Sequence, residues 1–371
     1  MEREKRRCGN INQEIVEEIL VKLPVKSLVR FKAVSREWRG AIESTFFIEK
    51  QIRYQKYLEG QQARIVTLSR EKRYNGVALG NLLISANGIV HDSSYLPIRA
   101  LNLFDGFKIS EPCDGLFCVY TITRIFNLVN PATTSRRRLP DPTSTVSNGR
   151  DMNYTLLGMG RENSLSRRYK LVWFFECDMK QVKKSTRCKV FAFDSNTWRY
   201  VDPPHCRVEY GHPLIHLEGV MYCFTAPCME EQGPFEKEVL AFDLHTETSQ
   251  SFSVTPDIGE SPLSMRVLNH RLCIFKRHVY TDDLVFKIWG LDINKRSWEI
   301  MYSIDLSCFP PEFQGSCILP VAKIDNYLII SNVTRTTCVL YGSKNRILHG
   351  TSGSPAFNTM SYFETLVSPY Q

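Results

Sequence analysis

Long hydrophobic runs are missing from this sequence. Nothing approaches the roughly 18 uninterrupted apolar residues from which a membrane-spanning helix is read, so no membrane partner is expected. The first ten residues, MEREKRRCGN, are charged and contain no apolar core, so a secretory leader is not expected either. Cysteine is absent from Gly9 to Pro112, which excludes a disulfide or a thiolate metal site in that stretch. The 12 cysteines lie mostly in apolar stretches without C-x-x-C spacing. With no secretory route they read as reduced, buried thiols, and the chain is expected in the cytoplasm or nucleus.

Catalytic signatures are missing as well. There is no G-x-S-x-G elbow, no P-loop and no full dinucleotide fingerprint. Gly158-Met159-Gly160 lacks the third glycine and reads as a strand end or turn before an exposed loop. His205, Cys206, His212, His216 and Cys223 make the densest set of metal-ligand types, but Gly211 and Pro213 argue for extended chain there, and no metal or other cofactor is expected. The acid pairs Glu230-Glu231 and Asp282-Asp283 sit in polar loops and read as solvated. Net charge is +8, yet the basic clusters, such as Arg136-Arg137-Arg138, are short and interleaved with 39 acids. Solvated loop charge is the reading, and no nucleic-acid partner is expected.

What is present begins with a helical pattern over residues 11–47. Ile15, Ile19 and Leu23 recur every fourth residue, with Val16 and Leu20 beside them, which puts an apolar stripe on a first helix. Asn12 is a candidate N-cap, followed by Glu14 in the first turn. Pro24 stops this helix and suits the start of a second, where Val25, Leu28 and Val29 share a face. Ser35 is a candidate N-cap for a third helix carrying Trp38 and Ile42. Three such helices hold too little core to stand alone, so the rest of the chain or a partner must cover their apolar face.

The run from Glu17 to Leu28, EEILVKLPVKSL, followed by FKAVSREW at Phe31–Trp38, resembles the F-box of the plant F-box protein family. One departure is the opening pair, Ile11-Asn12 where an F-box commonly has Leu-Pro; it keeps an apolar anchor and loses the proline. The resemblance implies docking on a Skp-type adaptor of a cullin–RING ubiquitin ligase. It would set Ile11, Ile15, Leu20, Leu23, Pro24, Leu28, Val34 and Trp38 at or behind that surface.

After a loosely helical transition, the period changes to short strands separated by Asp-Gly, Asn-Pro, Asp-Pro and Gly-Pro turn signals. An internal repeat is visible. Val190–Thr197, Val239–Thr246 and Ile288–Lys295 each run from an apolar strand into a turn, with Asp194, Asp243 and Asp292 spaced 49 residues apart. Phe126–Thr133, with Asn130 in place of the acid, and a segment near Tyr341 are further copies. The Asp or Asn side chain accepts hydrogen bonds from the turn's own N–H groups, and the chain reverses. Trp198, Phe252 and Trp298 then open return strands, and Trp173 and Trp289 read as blade core. A period near 50 with several strands per unit fits a kelch-like propeller blade, and the available length gives about six, with seven or an open array as alternatives. The segment Met360–Val367 is expected to pair with residues near 64–105 and close the ring, since open edges invite aggregation.

Cys113-Asp114-Gly115-Leu116, then Asn130-Pro131-Ala132-Thr133, Ala241-Phe242-Asp243-Leu244 and Arg296-Ser297-Trp298, in that order, are similar to the plant F-box-associated domain. The expected architecture is therefore an α+β multidomain chain: a small three-helix F-box (8–50), a linker (51–63) and an all-β propeller of about six blades (64–371). The expected role is a non-catalytic receptor that presents a target protein to the ligase. Its target-binding loops are sought near 141–166, 226–238 and 305–316. The competing readings are a ligase-independent F-box scaffold, and a propeller enzyme or lectin with a helical cap.

Overall fold

The computed structural model describes residues 13–59, 61–71, 76–85, 88–98, 107–121, 125–142, 155–163, 166, 168–179, 182–227, 237–254, 263–276, 284–310, 313, 318–332, 337–342, 349–351 and 356–370. Its helical part comprises α1 (Gln13–Val21), α2 (Val25–Phe31), α3 (Arg36–Glu43) and α4 (Thr45–Glu59). Ile11 and Asn12 lie outside the described residues. Pro24 directly precedes α2 with φ −57° and adds no side-chain cap. Ser35 does cap α3, its Oγ accepting from the Trp38 N–H at 3.1 Å.

The loosely helical transition is a regular fourth helix, longer than the sequence pattern suggests. It starts inside the expected F-box, capped by Ser44 Oγ on the Phe47 N–H at 3.1 Å, and runs unbroken across the expected boundary with the linker. Its buried stripe is Phe47, Ile48, Gln51 and Ile52. The glutamine in the stripe makes the period look loose in sequence, because its amide is satisfied by distant chain, Glu364 and Leu366.

The described residues of the remainder form six antiparallel sheets, numbered here as blades. Blade 2 is Phe107–Ile109, Phe117–Thr121, Phe126–Asn130 and Ser135–Arg138. Blade 3 is Thr155–Arg161, Tyr169–Met179, Val182–Ala192 and Thr197–Val201. Blade 4 runs from Ile215–Leu217 through Val220–Ala226 and Glu238–Asp243 to Ser249–Ser253, with Arg207–Val208 added beside its second strand. Blade 5 is Leu263–Leu268, Arg271–Lys276, Val285–Asp292 and Ser297–Asp305; blade 6 is Ile318–Ile324, Tyr327–Asn332, Thr337–Gly342 and His349–Thr351.

Blade 1 is built from both ends of the β region. Ala356–Tyr362 supplies its first strand and pairs with Gln62–Glu71, Arg64 facing Tyr362; Gly76–Ser85 and Gly88–Ile98 complete it. The expected closure forms, but with other bounds: of Met360–Val367 only Met360–Tyr362 pair, and Phe363–Val367 leave the sheet; the closing strand gives Gln62–Glu71 a partner on each side.

The repeat turns are made by the expected chemistry. Asp243 Oδ1 accepts from the His245 and Thr246 N–H groups at 2.7 Å, Asp292 Oδ1 from Asn294 and Lys295 at 3.0 and 3.1 Å, and Asn130 Oδ1 from Ala132 and Thr133 at 2.9 and 3.4 Å. Thr134, Asn196, Glu247 and Arg296 take positive φ just before the return strand. Blade 3 differs: Ala192 is paired with Thr197 as Asp292 is with Ser297, so Asp194 sits two residues into the turn and serves only its neighbour Ser195. The even spacing of aspartates is thus partly coincidental there.

One expectation fails. A target-binding loop is sought near 141–166, with Gly158-Met159-Gly160 as a strand end or turn before it, but Thr155–Arg161 is the wholly buried first strand of blade 3. Its glycines are packing devices. A Cβ on Gly158 would stand 2.3 Å from Met221 Cε, and one on Gly160 would stand 2.5 Å from atoms of His216 and Leu244. Blade 4 approaches so closely that no side chain fits.

Candidate partner-binding surfaces

The helical unit keeps apolar surface in water. Leu20, Val25, Leu28 and Ile42 are buried beneath it, so Leu20 and Leu28 of the expected docking set form its floor. Above them Ile15 and Val34 are 53% and 62% exposed, and Pro24 is exposed. Leu23 and Trp38 are half-buried, Trp38 standing edge-on to Phe31 at 5.5 Å between ring centres. Ile19 and Val29, outside the expected set, are also exposed. Ile19 was legible, since it lies one helical turn from Ile15. Of the eleven exposed large apolar side chains among the described residues, six lie on residues 13–59: Ile15, Ile19, Val29, Val34, Phe46 and Tyr57. Exposed Lys26, Arg30 and Arg36 stand close in sequence to Val29 and Val34.

The opposite side of this unit is covered by the propeller. Leu20, Ile48 and Ile52 share one core cluster with Leu116, Leu128, Leu171, Leu366 and Val367. Within that junction lies an ionic network. Asp114, itself buried, receives Lys56 of α4 at 2.8 Å, the Tyr169 hydroxyl at 2.9 Å and Arg161 at 3.5 Å; Arg161 also donates to Glu49 of α4 at 2.8 Å. Burial alone would raise the Asp114 carboxyl, but the Lys56 ammonium, with Tyr169 and Arg161, holds it below the usual carboxylate range.

Beside the network, α4 overhangs a cavity of about 510 Å³ at one mouth of the propeller channel. The turns between first and second strands line it, including Cys113-Asp114, Glu218-Gly219 and Asn269-His270. Those turns therefore mark the end of the blades that carries the helices. In antiparallel sheets the second-to-third connections, and those from one blade to the next, leave at the other end. The strand ends flanking 226–238 and 305–316, and the start of Thr155–Arg161, belong to that far end; most of the residues between lie outside the described ones.

The cavity wall holds a thiol and an imidazole, Cys113 Sγ and His216 Nδ1, 3.9 Å apart. Burial pushes the thiol well up and the imidazole down to about 4, so both are neutral near pH 7 and form no thiolate–imidazolium pair. His212 instead meets Glu209 at 3.5 Å. The sequence set around His205 is thus dispersed: His216 lines the cavity, His205, Cys206 and His212 flank the added strand Arg207–Val208, and Cys223 lies in the second strand of blade 4; no three His, Cys, Asp or Glu side chains converge as metal ligands among the described residues.

Comparison with known families agrees with this division. The family model for the F-box domain matches residues 9–50, and that for the F-box associated beta propeller domain matches residues 81–368. The chain belongs to the F-box proteins with an F-box-associated β-propeller. A putative F-box/kelch-repeat protein of Arabidopsis thaliana is 30% identical over 97% of this chain and 90% of its own. An F-box/LRR-repeat/kelch-repeat protein of the same plant is 28% identical over 98% of this chain and 99% of its own, and a putative F-box protein 31% identical over 81% and 69%. The F-box and propeller of this chain are thus joined through α4, a contact that neither motif announces.

Proposed function

We propose that this F-box protein is a substrate-recognition adaptor of a Skp–cullin–F-box ubiquitin ligase. In this reading α1, α2 and the start of α3 dock on the Skp-type adaptor, and the far end of the propeller holds a target protein. The observation that carries it is the apolar set Ile15, Ile19, Val29 and Val34, which stays in water although the same helical unit is packed on the propeller through α4. The nearby cations favour an acidic partner face. The ligase core does the chemistry; Cys113 and His216, both neutral, supply no thiolate–imidazolium pair at the channel mouth. Joining target and ligase raises their effective concentration, which is the whole of the catalytic contribution. Buried free cysteines suit a reducing cytoplasm or nucleus as the place of work.

The test is binding of a purified Skp-type protein to the full chain. Leu23→Ala combined with Pro24→Ala truncates the centre of the docking set, and the complex should weaken by about 2 kcal/mol, roughly 30-fold. Undiminished affinity in a variant with the wild-type melting temperature rejects the assignment.

A further inference from the structure

We propose that Phe363–Tyr370 is a strap that fixes the F-box on the propeller, with Asn130 and Gln51 as its positioning residues; the purpose assigned to it, but not the strap itself, rests on the adaptor reading. After the closing strand of blade 1 the chain continues without sheet partners, yet Thr365 and Val367 are fully buried. Leu366 and Val367 enter the core shared by α4 and blade 2. On the helix side, Gln51 of α4 is wholly buried, donates to the Glu364 carbonyl at 3.2 Å and accepts from the Leu366 N–H at 3.4 Å. On the propeller side, Thr365 Oγ1 donates to the Asp114 carbonyl at 2.7 Å, Arg137 donates to the Pro369 carbonyl at 3.2 Å, and the Tyr370 hydroxyl to that of Arg136 at 2.9 Å. Gly115, at φ +78°, leaves the room: a Cβ there would stand 2.6 Å from Thr365 Oγ1.

Asn130 shows that the contact is specified rather than incidental. The equivalent turns of blades 4 and 5 use Asp243 and Asp292, because the turn needs only an acceptor. Asn130 does that work with Oδ1, and its amide nitrogen donates to the carbonyls of Thr365 and Val367 at 3.0 and 2.8 Å. An aspartate would keep the turn and aim a carboxylate at two carbonyl oxygens. The strap, not the turn, accounts for the amide at this position. It ties blade 1, blade 2 and α4 into one body, so that a target held on the far end of the propeller meets the ligase at a fixed orientation.

Hydrogen exchange of the full-length chain, read by peptide mass, tests this without any partner. Asn130→Asp should speed exchange at least tenfold in α4 and in residues 363–370 and leave blades 4 and 5 at wild-type rates. In a chain ending at Glu364 the same substitution should change α4 by less than twofold, since the carbonyls it would oppose are gone. Unchanged rates in α4, acceleration shared equally by blades 4 and 5, or an equal effect in the shortened chain each overturn the proposal. Should the shortened chain not fold, Gln51→Leu in the full chain decides: residues 363–370 must exchange at least tenfold faster with the Asn130 turn undisturbed, and wild-type rates there reject the strap. Undiminished Skp affinity in the earlier test would reject the adaptor reading and leave this outcome untouched.

Discussion

Glu59, at the last turn of α4, shows what the junction costs at a single residue. It lines the channel mouth, where burial raises its carboxyl from 4.5 to about 7 against a smaller pull from Lys56. Lys56 is already engaged by Asp114. The folded chain therefore keeps a proton that the unfolded chain has released between these two values, and stability falls as pH rises through that window. Below pH 4.5 both states hold the proton and nothing is lost; above about 7 the loss is complete, at most about 3 kcal/mol. Glu59→Gln should consequently be more stable than wild type at pH 8 by about 1–3 kcal/mol and no different at pH 4. Urea denaturation at the two pH values measures it, and an equal gain at both would show that a packing effect, not the charge, is responsible.

At the scale of elements, the F-box divides into a floor and a face, and the two respond differently. Leu28→Ala opens a cavity under α2 and should cost about 2–5 kcal/mol of stability, with Skp binding lost only as folding is lost. Val34→Glu puts a charge on the exposed face; melting should stay within about 0.5 kcal/mol of wild type while affinity drops at least tenfold. Calorimetry beside titration separates them, and equal effects of both on melting would erase the distinction. The three helices were legible in sequence because short amphipathic helices declare themselves by period, Pro24 by its fixed φ and Ser35 by its cap. Turns closed by Asp243 and Asp292 were legible for the same local reason. Which apolar residues of the helices are floor and which are face was not legible, because Leu20 and Leu28 carry the same apolar signal as Ile15 and Val34. The first strand of blade 3 was not: Thr155–Arg161 is glycine-bearing because blade 4 presses on it, and that pressure has no local signature. Nor was the docking of α4. Gln51, Asn130 and Thr365 look like surface residues until partners more than 200 positions away satisfy them.

For the whole molecule, the consequence is cooperativity. Residues of the F-box, blade 2, blade 3 and the strap share one core cluster, and the closing strand Ala356–Tyr362 shuts the ring immediately before the strap begins. A helical unit this small has no independent stability to fall back on. Ellipticity at 222 nm follows the helices, and tryptophan fluorescence follows chiefly the propeller, which holds four of the five tryptophans. The two should lose signal in a single coincident transition on heating. Removing residues 356–371 takes away both closure and strap, leaves the Gln62–Glu71 edge unpaired, and should yield a chain that aggregates and binds no Skp-type protein although its F-box sequence is intact. A helical transition 10 °C or more below the fluorescence transition in the full chain would mean that the F-box swings free of the ring. Retained Skp binding by the shortened chain would mean that it folds without the ring.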